Sequence, residues 1–123
     1  NLLDCNLRLE NWRNAENQAR AVAEFICNGR VEPYLEIPWM WTDQYEHNIQ
    51  VIGIPDSSDE VVMRGELQDG SGSLIWLRNG YVSGGVLINS ARDRRPLEEL
   101  VRRKAVIDKS TLRDASLPLR RLL

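Results

Sequence analysis

The chain has 123 residues, 42% hydrophobic and 28% charged, with a formal net charge of −2; this is one domain's worth, or a domain plus a piece of another. No apolar run approaches the ~20 residues of a membrane span, so no membrane insertion is expected. Cys5 and Cys27, with His47 as the only histidine, cannot assemble a zinc site of the usual kind, and no other metal site is expected. Without a C-x-x-C pair or a signal-type segment, a reduced, cytoplasmic protein is expected. The opening Asn1-Leu2-Leu3-Asp4 lacks an initiator Met, and sequence upstream of it is expected.

Residues 1–60 carry a net −7 and residues 61–123 a net +5. The basic side can steer an acidic partner, or it can be a solvated helix face with pairs such as Glu98–Arg102 and Glu99–Arg103. Nucleic acid is disfavoured, because aromatic and basic residues do not interleave and the total charge is negative.

In chain order, Ala15, Ala19, Val22 and Ile26 recur at helical spacing between Asn14 and Cys27, and Asn28-Gly29 supplies a stop. The stripe is narrow and built of small residues, which implies close packing against something flat. Arg30 to Pro38, with Pro33 and Pro38, reads as an extended connector. In the stretch Pro38-Trp39-Met40-Trp41-Thr42-Asp43-Gln44-Tyr45, alternation sends both indoles to one face of a strand. That face looks toward the core, a cofactor or another protein.

Next, 47–54 and 60–67 read as strands joined by the Pro55–Asp59 turn, and they are expected to form a hairpin. Asp69-Gly70-Ser71-Gly72 turns the chain, 74–77 runs through Trp76 as a core strand, and Asn79-Gly80 is a strong hairpin signal before 81–89. Gly84-Gly85 in that strand predicts a bulge or a close backbone approach. The glycines of 69–73 precede no helix, so they are read as a hairpin turn and not as a phosphate cradle. Asp56, Asp59 and Asp69 lack the spacing of a calcium loop. Pro96 marks a first helical turn, with Leu97, Leu100 and Val101 as its apolar stripe, and 108–123 supplies a further turn or two. The expected class is α+β, an antiparallel meander sheet with helices packed on it, preceded by a helix.

Several stretches together resemble one family. Arg8-Leu9-Glu10-Asn11-Trp12-Arg13-Asn14-Ala15-Glu16-Asn17-Gln18 is similar to the R-x-E-x-x-x-N-A-x-x-Q segment of the flavin-dependent reductases that feed ferredoxins, rubredoxins and putidaredoxin-like proteins of bacterial oxygenase systems, relatives of apoptosis-inducing factor. The octapeptide from Pro38 to Tyr45 is close to that family's P-W-F-W-S-D-Q-Y. Val61-Val62-Met63-Arg64-Gly65 resembles V-V-x-R-G, Asn89 with Asp93 resembles N-R-P-x-D, and 114–119 resembles the closing D-x-S-x-P-L. Met40 departs from the usual Phe, Ala19 from a common Gly, and Ser90-Ala91 from Arg-Pro, which puts any partner contact at that last site in doubt.

The resemblance implies that residues 1–29 are the tail and last helix of an FAD domain, and 30–123 the C-terminal domain of the reductase. Both dinucleotide sites would lie upstream. The family passes electrons from NAD(P)H through FAD to a [2Fe-2S] ferredoxin-type protein or rubredoxin, so the fragment alone is expected to hold no catalytic residue, to be inactive and to bind no FAD. Trp12 and Trp41 align with positions that touch the flavin or its edge, and Trp41 also faces the docking surface. Trp39 is open between core and site, and Gln44 is at most a polar orienter. Arg92, Arg94 and Arg95 are where an acidic ferredoxin would be attracted. The competing reading is a free-standing, non-catalytic interaction module whose aromatic face pairs with a second copy or another protein.

Overall fold

A computed structural model describes residues 7–123, so Cys5 and the opening Asn1-Leu2-Leu3-Asp4 lie outside the described residues. Helix α1 spans Trp12–Asn28. Its first turn is satisfied by Asn11, whose side-chain oxygen accepts from the Asn14 N–H at 2.9 Å. Its last turn is closed by Gly29 at φ 65°, donating to the Phe25 carbonyl at 2.8 Å. No residue of α1 is buried, and Val22, Phe25 and Ile26 are all exposed. The flat partner that its small-residue stripe calls for is thus not supplied by the described residues. The helix is tied down near its start, where the Tyr34 hydroxyl donates to Asn14 Oδ1 at 3.0 Å and Asn14 Nδ2 donates to the Leu9 carbonyl at 2.9 Å.

Five strands follow: β1 (Trp39–Gln44), β2 (His47–Gly53), β3 (Glu60–Arg64), β4 (Gly72–Arg78) and β5 (Tyr81–Ile88). They form one antiparallel sheet in the order β1-β2-β5-β4-β3. β3, β4 and β5 run as a meander, and Asn79 (φ 51°) with Gly80 (φ 85°) makes the tight β4–β5 turn read from the sequence. The hairpin expected between 47–54 and 60–67 is not formed. β5 lies beside β2 instead, and the Pro55–Asp59 segment carries the chain across the sheet end, as in a Greek key.

Glycines explain that choice of neighbour. A Cβ on Gly53 would sit 2.4 Å from the Ser83 carbonyl oxygen, and one on Gly84 would sit 2.7 Å from the Ile52 carbonyl oxygen. Only a bare β5 fits this closely against β2, which is the close approach that Gly84-Gly85 signalled. The register passes from Trp76–Gly84 to Leu77–Val82 and skips Ser83, a bulge in β5.

Helix α2 (Arg94–Arg102) crosses β5 and β2, burying Leu97, Leu100 and Val101. Helix α3 (Lys109–Arg113) lies against β3, and a 3₁₀ turn at Leu119–Leu122 packs beside α2. Ile52, Ile75, Val62 and Leu87 from the sheet and Leu97, Leu100, Leu112 and Leu119 from these elements are fully buried. Each such side chain contributes about 1.5–3 kcal/mol by leaving water. Trp76, read as a core residue, is half-buried on the other face of the sheet, which no helix among the described residues covers.

Candidate functional site: an aromatic row at the sheet edge

β1 is an edge strand, and its alternation decides the site. Trp39 pairs across to Ile52 and Trp41 to Gln50, so both indoles stand on the helix-bearing face. Their rings stack at 5.0 Å between centroids with 23° between planes. Trp12, the first residue of α1, meets Trp41 edge-on at 5.8 Å and 88°. On the other side the Arg94 guanidinium lies 4.5 Å over the Trp39 ring. The side chains of Trp12, Trp41, Trp39 and Arg94 therefore form one continuous row, and Glu98 closes it by pairing with Arg94 at 2.6 Å.

Exposure changes along this row. Trp39 packs against the hydrophobic core, and its indole N–H donates to Gln50 Oε1 at 3.1 Å. Gln50 is buried and its amide donates to Asn48 Oδ1 at 2.8 Å, while Asn48 donates to Asp43 Oδ1 at 2.7 Å. That relay fixes the Trp39 ring plane from beneath, leaving the stack little rotational freedom. Trp41 is 39% exposed and Trp12 66% exposed. Two large indole surfaces are therefore presented to solvent on a rigidly held base, beside a helix whose apolar stripe is bare.

The structure thus brings together Trp12, Trp39 and Trp41 and leaves Gln44 apart. Gln44 stands on the opposite face of β1 with Met40 and Thr42, and its amide donates to Thr42 Oγ1 at 2.8 Å. The three arginines grouped by charge also separate. Arg94 is committed to Trp39 and Glu98, whereas Arg92 and Arg95 are exposed and without an ion-pair partner among the described residues. The basic face of α2 is otherwise the paired helix surface that the spacing foresaw, with Glu98–Arg102 at 3.2 Å and Glu99–Arg103 at 2.6 Å. His47 is an exposed strand-end residue, as expected.

Two polar anchors have no signal in local spacing. Asp59, with a side chain 2% exposed, accepts from Arg78 Nε at 2.8 Å and Nη2 at 2.9 Å, from Ser83 Oγ at 2.8 Å and from the Asp56 N–H at 3.1 Å. These groups are separated in sequence and meet only because β5 is bulged at Ser83. Arg64, buried at the end of β3, donates to the carbonyls of Leu112, Asp114 and Leu117 and so fastens the C-terminal segment. Among the described residues no group of three or more His, Cys, Asp or Glu is placed to hold a metal, and no helix is long and apolar enough to cross a membrane.

Residues 39–123, from the first residue of β1 to the end of the chain, match the family described as "Reductase C-terminal". The chain belongs to that family. It is similar to the 5,5'-dehydrodivanillate O-demethylase ferredoxin reductase subunit of Sphingobium sp. (strain NBRC 103272 / SYK-6), with 34% identity over 94% of this chain and 28% of that protein. It is also similar to the anthranilate 1,2-dioxygenase system ferredoxin–NAD(+) reductase component of Burkholderia cepacia, with 32% identity over 99% of this chain and 30% of the other. Among solved structures, it superposes on a chain of the covalent putidaredoxin reductase–putidaredoxin complex with a TM-score of 0.88 and 28% identity, over 98% of this chain and 29% of that one. The ferredoxin reductase for the CYP199A2 system from Rhodopseudomonas palustris gives a TM-score of 0.85 at 30% identity, over 94% and 28%. The chain spans under a third of the length of the curated relatives it matches. For this reductase C-terminal domain, the antiparallel five-stranded sheet with its helices is the family's fold.

Proposed function

We propose that this chain is the C-terminal part of an FAD-dependent NAD(P)H:ferredoxin-type oxidoreductase working in the cytoplasm. In this reading, residues 1–29 belong to the FAD domain and 30–123 form the reductase's C-terminal domain. The observation that carries the reading is the exposed Trp12–Trp41 surface on the fixed Trp39 base. Relatives named as ferredoxin reductase components, which this chain matches over part of their length, support it.

The residues present fit a flavin edge. A flat, polarisable indole covers a planar ring and excludes water from it, and Trp41 and Trp12 keep exposed indole surface beside their mutual edge-on contact. FAD, when bound by the rest of the protein, supplies the conversion between hydride and single-electron chemistry. The part played by this chain is positional. The relay from Trp39 through Gln50 and Asn48 to Asp43 holds the stack in place, and the exposed part of Trp41 meets an arriving [2Fe-2S] protein or rubredoxin. Arg92 and Arg95 are the exposed cations on this domain that attract an acidic acceptor. NAD(P)H would be handled outside this chain, and no side chain here is assigned a catalytic role.

The same exposed aromatic surface favours a second reading, a free-standing module that pairs with a copy of itself or another protein. The coding frame upstream of Asn1 separates the two. Two strand–turn–helix units of the G-x-G-x-x-G type, and flavin bound to the product of that longer frame, are expected. A start codon close to Asn1, with a flavin-free product that dimerises through Trp41, would overturn the first reading in favour of the second.

A further inference from the structure

A second feature lies away from the aromatic row. The end of β3, the turn before β4, the segment entering α2 and the C-terminal segment enclose a cleft of about 370 Å³. Three of the stretches that carry the family resemblance converge there, contributing Arg64, Ser90 with Asp93, and Ser116, and the glycine turn adds Ser71. Three guanidinium groups line it, those of Arg64, Arg92 and Arg120.

Arg64 is 5% exposed and its hydrogen bonds run to three main-chain carbonyls, with no carboxylate among them. The carboxylates of Asp93 and Asp114 act on Arg64 across space without bonding to its guanidinium, so its charge is only partly offset in the space beside it. Arg92 and Arg120 are exposed and form no ion pair among the described residues. Asp93 is the single carboxylate in the lining, against the three arginines. Asp114, nearby, is turned onto the N–H and hydroxyl of Ser116, at 2.9 Å and 2.6 Å. The lining is therefore net cationic, and Ser71 stands among its residues.

We propose that this cleft binds a phosphate group, held by Arg92 and Arg120 over the field of Arg64 and approached by the Ser71 hydroxyl. Planar guanidinium forks match the oxygens of a phosphate better than a flexible ammonium does, and every cation in this lining is an arginine. The glycine turn at 69–72 supplies a low wall and not the cradle itself, consistent with its lack of a following helix. The proposal does not depend on the flavoprotein reading.

The test is a titration of the ¹⁵N-labelled 123-residue chain with inorganic phosphate at constant ionic strength, with sodium chloride as the reference. Saturable amide shifts at Gly65, Ser71 and Ser116, with a Kd on the order of millimolar, are expected. Arg92→Gln and Arg120→Gln should each weaken binding about tenfold, the loss of one hydrogen bond to a charged group. Arg95→Gln, outside the cleft, should leave it unchanged. A parallel arm with adenosine 5'-monophosphate distinguishes a phosphate ester from the free anion, since either one saturating the same resonances supports the site. Shifts that match those of chloride, or that are equal in the Arg92→Gln and Arg120→Gln variants and the parent, would overturn the proposal.

Discussion

Arg94 lies over the Trp39 ring at 4.5 Å while its guanidinium is held by Glu98 at 2.6 Å, so a helix side chain fixes the outer face of a strand-edge indole. The arrangement couples α2 to the core-packed end of the aromatic row. A cation over an indole and a half-buried ion pair together contribute about 1 kcal/mol. Arg94→Gln should cost about that much in chemical denaturation and should weaken the far-ultraviolet exciton couplet of the Trp39–Trp41 pair in circular dichroism. Trp39→Phe should abolish the same signal while leaving the sheet folded.

Asp59 should matter more for stability than any surface charge. Its carboxyl is held below the usual carboxylate range, chiefly by the hydrogen bonds from Arg78 and against the cost of burial, with Ser83 adding to the effect. A lowered folded-state pKa means that the unfolded chain takes up the proton first. The stabilisation is therefore complete above about pH 4 and is lost as the pH falls through the folded-state value. Asp59→Asn should cost about 2–3 kcal/mol at pH 7 by leaving Arg78 and Ser83 poorly matched. It should also flatten the acid limb of the stability profile measured by urea unfolding between pH 6 and 3.

Arg64 anchors the C-terminal segment by forking between the end of α3, where Leu112 and Asp114 accept from one guanidinium nitrogen, and Leu117, which accepts from the other, a planar fork that an ammonium does not offer. Arg64→Lys should destabilise the chain by about 2–3 kcal/mol, since carbonyls buried without donors are costly. Hydrogen exchange should show protection lost first across residues 109–123, ahead of the central strands.

The glycines beside β2 give a graded test of the strand order. Gly53→Ala would place a methyl group 2.4 Å from the Ser83 carbonyl oxygen at a φ of 73°, and should cost about 3 kcal/mol. Gly80→Ala, at φ 85° but with nothing within 4 Å, should cost about 1 kcal/mol. Similar losses at the two positions would contradict the close β2–β5 contact.

Much of this architecture is legible in the sequence because its cues are local. Asn28-Gly29 ends α1, Asn79-Gly80 turns β4 into β5, and Pro96 with Leu97, Leu100 and Val101 marks α2, each through residues within one or two turns of chain. The failed β2–β3 hairpin shows the limit. Pro55–Asp59 has turn composition, but pairing partners are set by which strand surface is bare enough to approach, and Gly53 and Gly84 are 31 positions apart in sequence. Trp76 was misplaced for a related reason, since an apolar strand residue does not declare which face the helices will cover. At the site, alternation placed Trp39 and Trp41 together, whereas Gln44, named beside them as a polar orienter, stands on the opposite face of β1 with Thr42. The contribution of Trp12 came from the resemblance, because only the fold brings the start of α1 against the edge strand. The Trp39–Gln50–Asn48–Asp43 relay and the Asp59–Arg78 pair join residues across strands, and no spacing in one segment announces them.

The central claim is that the Trp41 face covers a flavin edge and meets an iron–sulfur partner. It is tested most directly by stopped-flow kinetics on the longer protein encoded by the reading frame that contains this chain, comparing the parent with Trp41→Ala. Bound flavin, reduction of that flavin by NAD(P)H within about twofold of the parent, and electron transfer to a [2Fe-2S] acceptor slowed at least about tenfold are expected for Trp41→Ala. A flavin-free product, or an acceptor-reduction rate unchanged by the substitution, would contradict the claim.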